Sequence, residues 1–179
     1  MNILLIIITI IVGLIAILLI IAAFTKKSYS IQRETVINRP IGDVFDYIRY
    51  LKNQDYFNKW VMMDPNLKKS FRGTDGTVGF VYAWEGNKKA GKGEQEIKNI
   101  SENKKMEIEV RFEKPFKGIS QAPFTTEAIA ANQTKVTWGL SSTMNYPMNV
   151  MLVFMNMDKL LGNDMETSLG NLKSILQKN

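Results

Sequence analysis

Two pairs of carboxylates, Glu94 with Glu96 and Glu107 with Glu109, are spaced two residues apart, which on a strand puts each pair on one face of a sheet. A carboxylate held in an apolar cavity has a raised pKa, so it can donate a proton or anchor the polar end of a ligand. Glu107 and Glu109 alternate with Met106, Ile108 and Val110, which turns the pair to solvent. Glu94 and Glu96 alternate with Gly91, Gly93, Gln95 and Ile97, a poor core face, which leaves Glu94 as the candidate polar group of a binding site, with Tyr82 and Arg111 as further orienting groups. The chain has no His and no Cys. Imidazole-based triads, thiol nucleophiles, disulfides and Cys/His zinc sites are therefore excluded. No spacing of carboxylates resembles a calcium loop, so no metal and no cofactor is expected.

Two glycine-rich stretches imitate chemistry. Gly86-Asn87-Lys88-Lys89-Ala90-Gly91-Lys92 fits the first seven positions of a phosphate-binding loop, but Gly93 stands where the magnesium-holding hydroxyl would be, and a strand follows where a helix is needed. It reads as a Lys-rich hairpin turn, and Gly73-Thr74-Asp75-Gly76 reads as another. The formal net charge of +6 raises nucleic-acid binding, yet Lys88-Lys89 and Lys104-Lys105 belong to turns at opposite ends of a strand and the aromatics fall on core faces. Nucleic acid is not an expected partner.

Methionine placement is the stronger signal. Of ten methionines, six (Met144, Met148, Met151, Met155, Met157 and Met165) fall within 22 residues. Flexible, polarizable thioethers suit a wall that must repack around differing apolar ligands. Facing them, Phe80, Tyr82, Trp84, Phe112, Phe124 and Trp138 recur with strand periodicity and supply an aromatic wall. The candidate cavity is thus Phe80, Tyr82, Trp84, Glu94, Phe112, Phe124, Trp138, Met144, Met148, Met151 and Met155.

The elements that must position these residues divide the 179-residue chain unevenly. Residues 3–24 carry no charge and are broken only by Thr9 and Gly13. At about 1.5 Å per residue they span roughly 33 Å, enough for a bilayer core of about 30 Å. The absence of a basic segment before them argues for a retained anchor over residues 1–25 rather than a cleaved signal. Lys26, Lys27, Arg33 and Arg39 follow it and none precedes it, which places the domain of residues 26–179 on the cytoplasmic side of the cell membrane. Residues 29–38 read as a strand. Pro40 opens a helix with Ile41, Val44, Phe45 and Ile48 on its buried stripe, and a second short helix follows over 51–59. From Leu67 the period becomes 2, giving a meander of about six further antiparallel strands. The chain ends in an amphipathic helix with Leu161, Met165, Leu169, Leu172 and Leu176 inward and Asp164, Asn171, Lys173 and Lys178 outward.

This α+β order resembles the START-like, birch-pollen-allergen-like (SRPBCC) superfamily. Local text carries the likeness to its polyketide cyclase/dehydrase branch: Glu34-Thr35-Val36-Ile37-Asn38-Arg39-Pro40-Ile41 leading to Val44-Phe45-Asp46-Tyr47-Ile48, Trp60, Lys135-Val136-Thr137-Trp138 and Leu169-Gly170-Asn171-Leu172-Lys173. The resemblance implies a helix-grip fold, a curved antiparallel sheet of about seven strands around the last helix, with a cavity for lipids, sterols, polyketides or other apolar molecules. The leading expectation is a membrane-anchored binding protein for a hydrophobic small molecule or lipid. The alternatives are a cyclase- or dehydratase-type enzyme using Tyr, Asp, Glu or Lys, and a ligand-free interaction protein whose cavity the Met-rich segment fills.

Overall fold

A computed structural model describes residues 2–178. Helix α1, Ile3–Phe24, has apolar side chains on every side, and Ala22 alone among its residues is buried. It projects from the rest of the chain as a separate rod of 22 residues.

Strand β1, Ser28–Ile37, leads into helix α2, Ile41–Arg49, and a 3-10 turn, Leu51–Asn53. Two single-turn helices follow, α3 (Gln54–Phe57) and α4 (Lys59–Met62). Then come β2 (Lys68–Arg72), β3 (Val81–Glu85), β4 (Lys92–Ser101), β5 (Lys105–Lys114), β6 (Gly118–Gln121), β7 (Phe124–Ala130) and β8 (Gln133–Thr143). A 3-10 turn, Met148–Val150, and α5, Met151–Phe154, precede the long helix α6, Met157–Lys178.

All strand pairs are antiparallel, in the order β1-β8-β6-β5-β4-β3-β2, with β7 also pairing β5 and β8. The sheet has eight strands where about seven were expected. The difference lies at Ala122 and Pro123: proline has no N–H to give a ladder, so β6 ends before it and β7 starts after it, while Pro123 still accepts from the Gly139 N–H at 2.9 Å.

The predicted helix stripe is the buried one: Val44, Phe45 and Ile48 are at most 1% exposed, and each contributes about 1.5–3 kcal/mol of transfer free energy. Met165, Leu169 and Leu172 of α6 are buried as expected, with Leu161 and Leu176 partly so. Two residues assigned to its outer face are instead tethers. Asp164 accepts from Lys59 Nζ and from the Trp60 indole N–H, and Asn171 donates to the Phe57 carbonyl, so α6 holds α3 and α4 through polar contacts. Along β1, the Arg33 guanidinium lies under Gly162 of α6, where a Cβ would sit 2.1 Å from Nη2, and it pairs with Asp158 and Glu166.

Candidate functional site

Strand register decides which side chains share a face. Tyr82 stands opposite Gln95, and Trp84 opposite Gly93, which itself faces Phe112; Phe124 stands opposite Trp138. The aromatic residues named from the sequence therefore do share the concave face that the helices cover. Most of them form a sealed core there. Phe80, Tyr82, Phe124 and Trp138 are at most 3% exposed. They pack with Phe57 and Trp60: Phe57 meets Phe124 edge-on at 6.4 Å, Trp60 meets Trp138 at 5.5 Å, and Phe124 stacks on Trp138 at 4.9 Å. The Tyr82 hydroxyl donates to Asp55 at 2.7 Å, and burial together with that carboxylate raises its pKa far above the ordinary phenol value. The short helices α3 and α4 contribute Phe57, Trp60 and Val61 to this same packed cluster.

Trp84 and Phe112 lie nearer the edge. Their rings meet edge-on at 6.0 Å over Gly93, whose missing side chain makes room for the indole: a Cβ there would lie 2.8 Å from the ring and 2.5 Å from the Arg111 carbonyl.

Glu94 belongs to the opposite face from Tyr82 and Trp84. Its register partners are Ala83 and Arg111, and its carboxylate pairs with Arg72 and Arg111. Glu96 and Glu109 join the same Arg111, making a cross-strand ion cluster on the convex surface. The hydrogen bond from Arg72, helped by Arg111 and opposed by burial, holds Glu94 below the usual carboxylate range. It is thus an ionised carboxylate in an ion cluster, in place of the protonated one that an apolar cavity would produce.

The large open space is at the end of the sheet next to α1. Strands β6 and β8 pair at only two positions, Ser120 with Ser142 and Gln121 with Ser141. Beyond them β6 stays with β5 and β8 stays with β1, so the sheet splays. The wedge is a groove of about 1670 Å³. Ser142, together with Ser28, Ser30, Ser141 and Thr143 on the Glu94 face of the sheet, gives it hydroxyl groups, Phe112, Phe116, Ile119, Met144, Tyr146 and Met148 give it apolar walls, and Glu94, Arg111, Glu113, Lys114 and Lys117 add charged groups. Tyr29 lies opposite Ser142, and burial raises its pKa. Of the residues named from the sequence, Phe112, Met144, Met148 and Glu94 border this groove. Met151 and Met155 do not line it; they belong to the turn after it. The groove's serines, with Phe116, Ile119 and Tyr146, were not found from the sequence. The alternation of serine with Tyr29 and Ile31 at the start of β1 was the one available trace.

The Met-rich turn joins groove and anchor. Asn149 is fully buried, and its side-chain amide donates to the carbonyls of Ala22 at 2.7 Å and Thr25 at 3.0 Å. Met148 on one side of it lines the groove, while Val153 and Phe154, one turn further on, are 53% and 70% exposed. The Gly86–Gly91 segment is a hairpin turn, closed by hydrogen bonds between Gly86 N–H and Gly91 O and between Gly91 N–H and Asn87 O.

Neither a family model nor a curated protein sequence matches the chain. Solved structures do. Norcoclaurine synthase from Thalictrum flavum, in complex with dopamine and hydroxybenzaldehyde, aligns with a TM-score of 0.63 and 9% identity, over 89% of this chain and 92% of that one. Ara h 8.0201 aligns with a TM-score of 0.57 and 12% identity over 85% and 99%. A Chromobacterium violaceum protein aligns with a TM-score of 0.59 and 10% identity over 82% and 96%. The chain has the helix-grip fold of START-like, birch-pollen-allergen-like proteins. What it shares with these structures is the path of the chain.

Proposed function

We propose that this chain is a membrane-anchored binding protein for a hydrophobic small molecule or lipid, with residues 1–25 as the anchor and residues 26–179 as the binding domain on the cytoplasmic side. The observation that carries the reading is the position of the groove. Its wall residue Met148 is the sequence neighbour of Asn149, which is bonded to the last turn of an apolar helix long enough to span a bilayer. A molecule leaving the membrane beside α1 meets the groove first. Its volume exceeds the roughly 300–1,000 Å³ of a drug-sized site, and apolar walls beside hydroxyls and the charged Arg111, Glu113, Lys114 and Lys117 suit a molecule with a long apolar part and a polar or charged end. Removing the apolar part from water contributes about 25 cal/mol per Å².

Held below the usual carboxylate range by the hydrogen bond from Arg72, with Arg111 beside it, Glu94 is not the proton donor that the enzyme reading would need near neutrality. The test is binding of a fluorescent long-chain acyl probe to the 179-residue chain in nanodiscs. Saturable binding that an excess of unlabelled lipid competes away supports the proposal, and absence of saturable binding contradicts it. Sidedness is read separately from a Cys placed at Asn132: labelling by an impermeant reagent from outside intact cells contradicts the cytoplasmic assignment.

A further inference from the structure

The strand ends at the α1 side of the sheet carry a row of lysines. Lys68 opens β2, Lys92 opens β4 and Lys114 closes β5, and they align through the register Lys68 to Glu85, Glu85 to Lys92 and Lys92 to Lys114. The hairpin turn between β3 and β4 adds Lys88 and Lys89, the turn between β5 and β6 adds Lys117, and the chain entering β1 adds Lys26 and Lys27.

Seven of these eight, all but Lys92, are exposed and lie beyond ion-pair distance of any carboxylate among the described residues. Elsewhere on the strands, basic groups are largely partnered: Arg72 with Glu94, Lys98 with Glu96, Lys105 with Glu107 and Lys135 with Glu127. Beside the lysines stand exposed apolar side chains: Phe116 and Ile119 at the groove, 65% and 56% exposed, and Phe154 on α5.

We infer that this rim is a second membrane contact, in which the lysines meet anionic lipid headgroups and Phe116, Ile119 and Phe154 enter the interface, so that the groove mouth is held against the bilayer. The inference rests on the anchor reading above, since α1 fixes this end of the domain near the membrane surface through Asn149. Lysines near an anionic surface are attracted within about a Debye length, and an apolar side chain set among them gains by leaving water. The occupant is thus an anionic bilayer surface, chosen because the excess charge, the apolar side chains and the anchor's end coincide.

The absence of Cys makes the test direct. Single-Cys versions of the full chain at Phe116, Phe154, Ile11 and Asn132, labelled with an environment-sensitive fluorophore, are reconstituted in vesicles of phosphatidylcholine with or without phosphatidylglycerol, together with spin-labelled quencher lipid. The expected result is quenching at 116 and 154 in phosphatidylglycerol vesicles, at least twofold stronger than in phosphatidylcholine alone. High salt or the combined Lys88→Glu, Lys89→Glu and Lys117→Glu substitutions should relieve it. Labels at 11 and 132 report lipid and water respectively throughout. Water-exposed labels at 116 and 154 with a lipid-immersed label at 11 overturn the rim contact and leave the anchor standing. A label at 11 in water overturns both. Quenching that is equal in the two lipids and indifferent to salt overturns the lysine contribution. Shielding of the 116 label by added RNA, without response to phosphatidylglycerol, overturns the bilayer as occupant.

Discussion

The fully buried Asn149 donates its side-chain amide to the backbone carbonyl of Ala22, 127 residues earlier in the chain, at 2.7 Å. One residue thereby couples the end of the apolar helix to the turn that forms one wall of the groove. Asn149→Ala removes this bond and the one to Thr25. The expected cost is about 1–3 kcal/mol locally, seen as faster amide hydrogen exchange over residues 148–154 in nanodiscs. Unchanged exchange there means that the turn is held by other contacts.

Two glycines that flank Phe112, Gly93 of β4 and Gly118 of β6, should respond differently to alanine. A Cβ at Gly93 meets the Arg111 carbonyl at 2.5 Å and the Trp84 ring at 2.8 Å, whereas Gly118 has open space around it. Gly93→Ala should lower stability by about 1–3 kcal/mol and displace Trp84, with Gly118→Ala near neutral. Thermal melting with tryptophan fluorescence measures both. Equal melting temperatures would show that Trp84 does not need the space over Gly93.

The convex ion cluster sets a pH dependence. The folded pKa values of Glu94 and Glu96 lie below the ordinary value, each chiefly through an arginine hydrogen bond working against burial. Their stabilisation is therefore present above the unfolded carboxylate pKa, about 4.3, and is lost as pH falls through the lowered folded values. Glu94→Gln should melt a few degrees below the parent protein at neutral pH, with the gap closing as pH drops below about 4. A gap that stays constant across this range contradicts the assignment.

Position along the Met-rich stretch should decide function. Met144 lines the groove and Met151 does not. Met144→Trp places an indole in the groove and should weaken binding of a long-chain acyl probe about tenfold or more, equivalent to at least about 1.4 kcal/mol, at unchanged melting temperature. Met151→Trp should leave binding within about twofold. The reverse ranking would move the site to the α5 side of the turn.

Much of the fold is legible in the sequence because its periodicities are long and clean. The stripe of α2 and the alternation of Met106, Ile108 and Val110 against Glu107, Glu109 and Arg111 each dictate an element and its buried face. The site is less so. Period 2 puts Phe80, Tyr82, Phe124 and Trp138 on one face but does not tell a cavity wall from a packed core, and the answer depends on Phe57 and Trp60, held in single-turn helices by Asn58 and Asp164. Glu94 was ambiguous for a related reason: Gly93 offers no side chain to mark its strand's inner face. The groove arises from the point where β6 leaves β8, and no local pattern in Ser120, Gln121, Ser141 or Ser142 announces that divergence.

If the groove beside α1 holds an apolar molecule drawn from the membrane, that molecule should travel with the chain. Native mass spectrometry of the full chain released from nanodiscs, followed by solvent extraction of what remains bound, tests it most directly. The expected result is one retained apolar molecule per chain, lost in Met144→Trp and kept in Met151→Trp. A bare chain, or a retained mass that both variants keep equally, would contradict it.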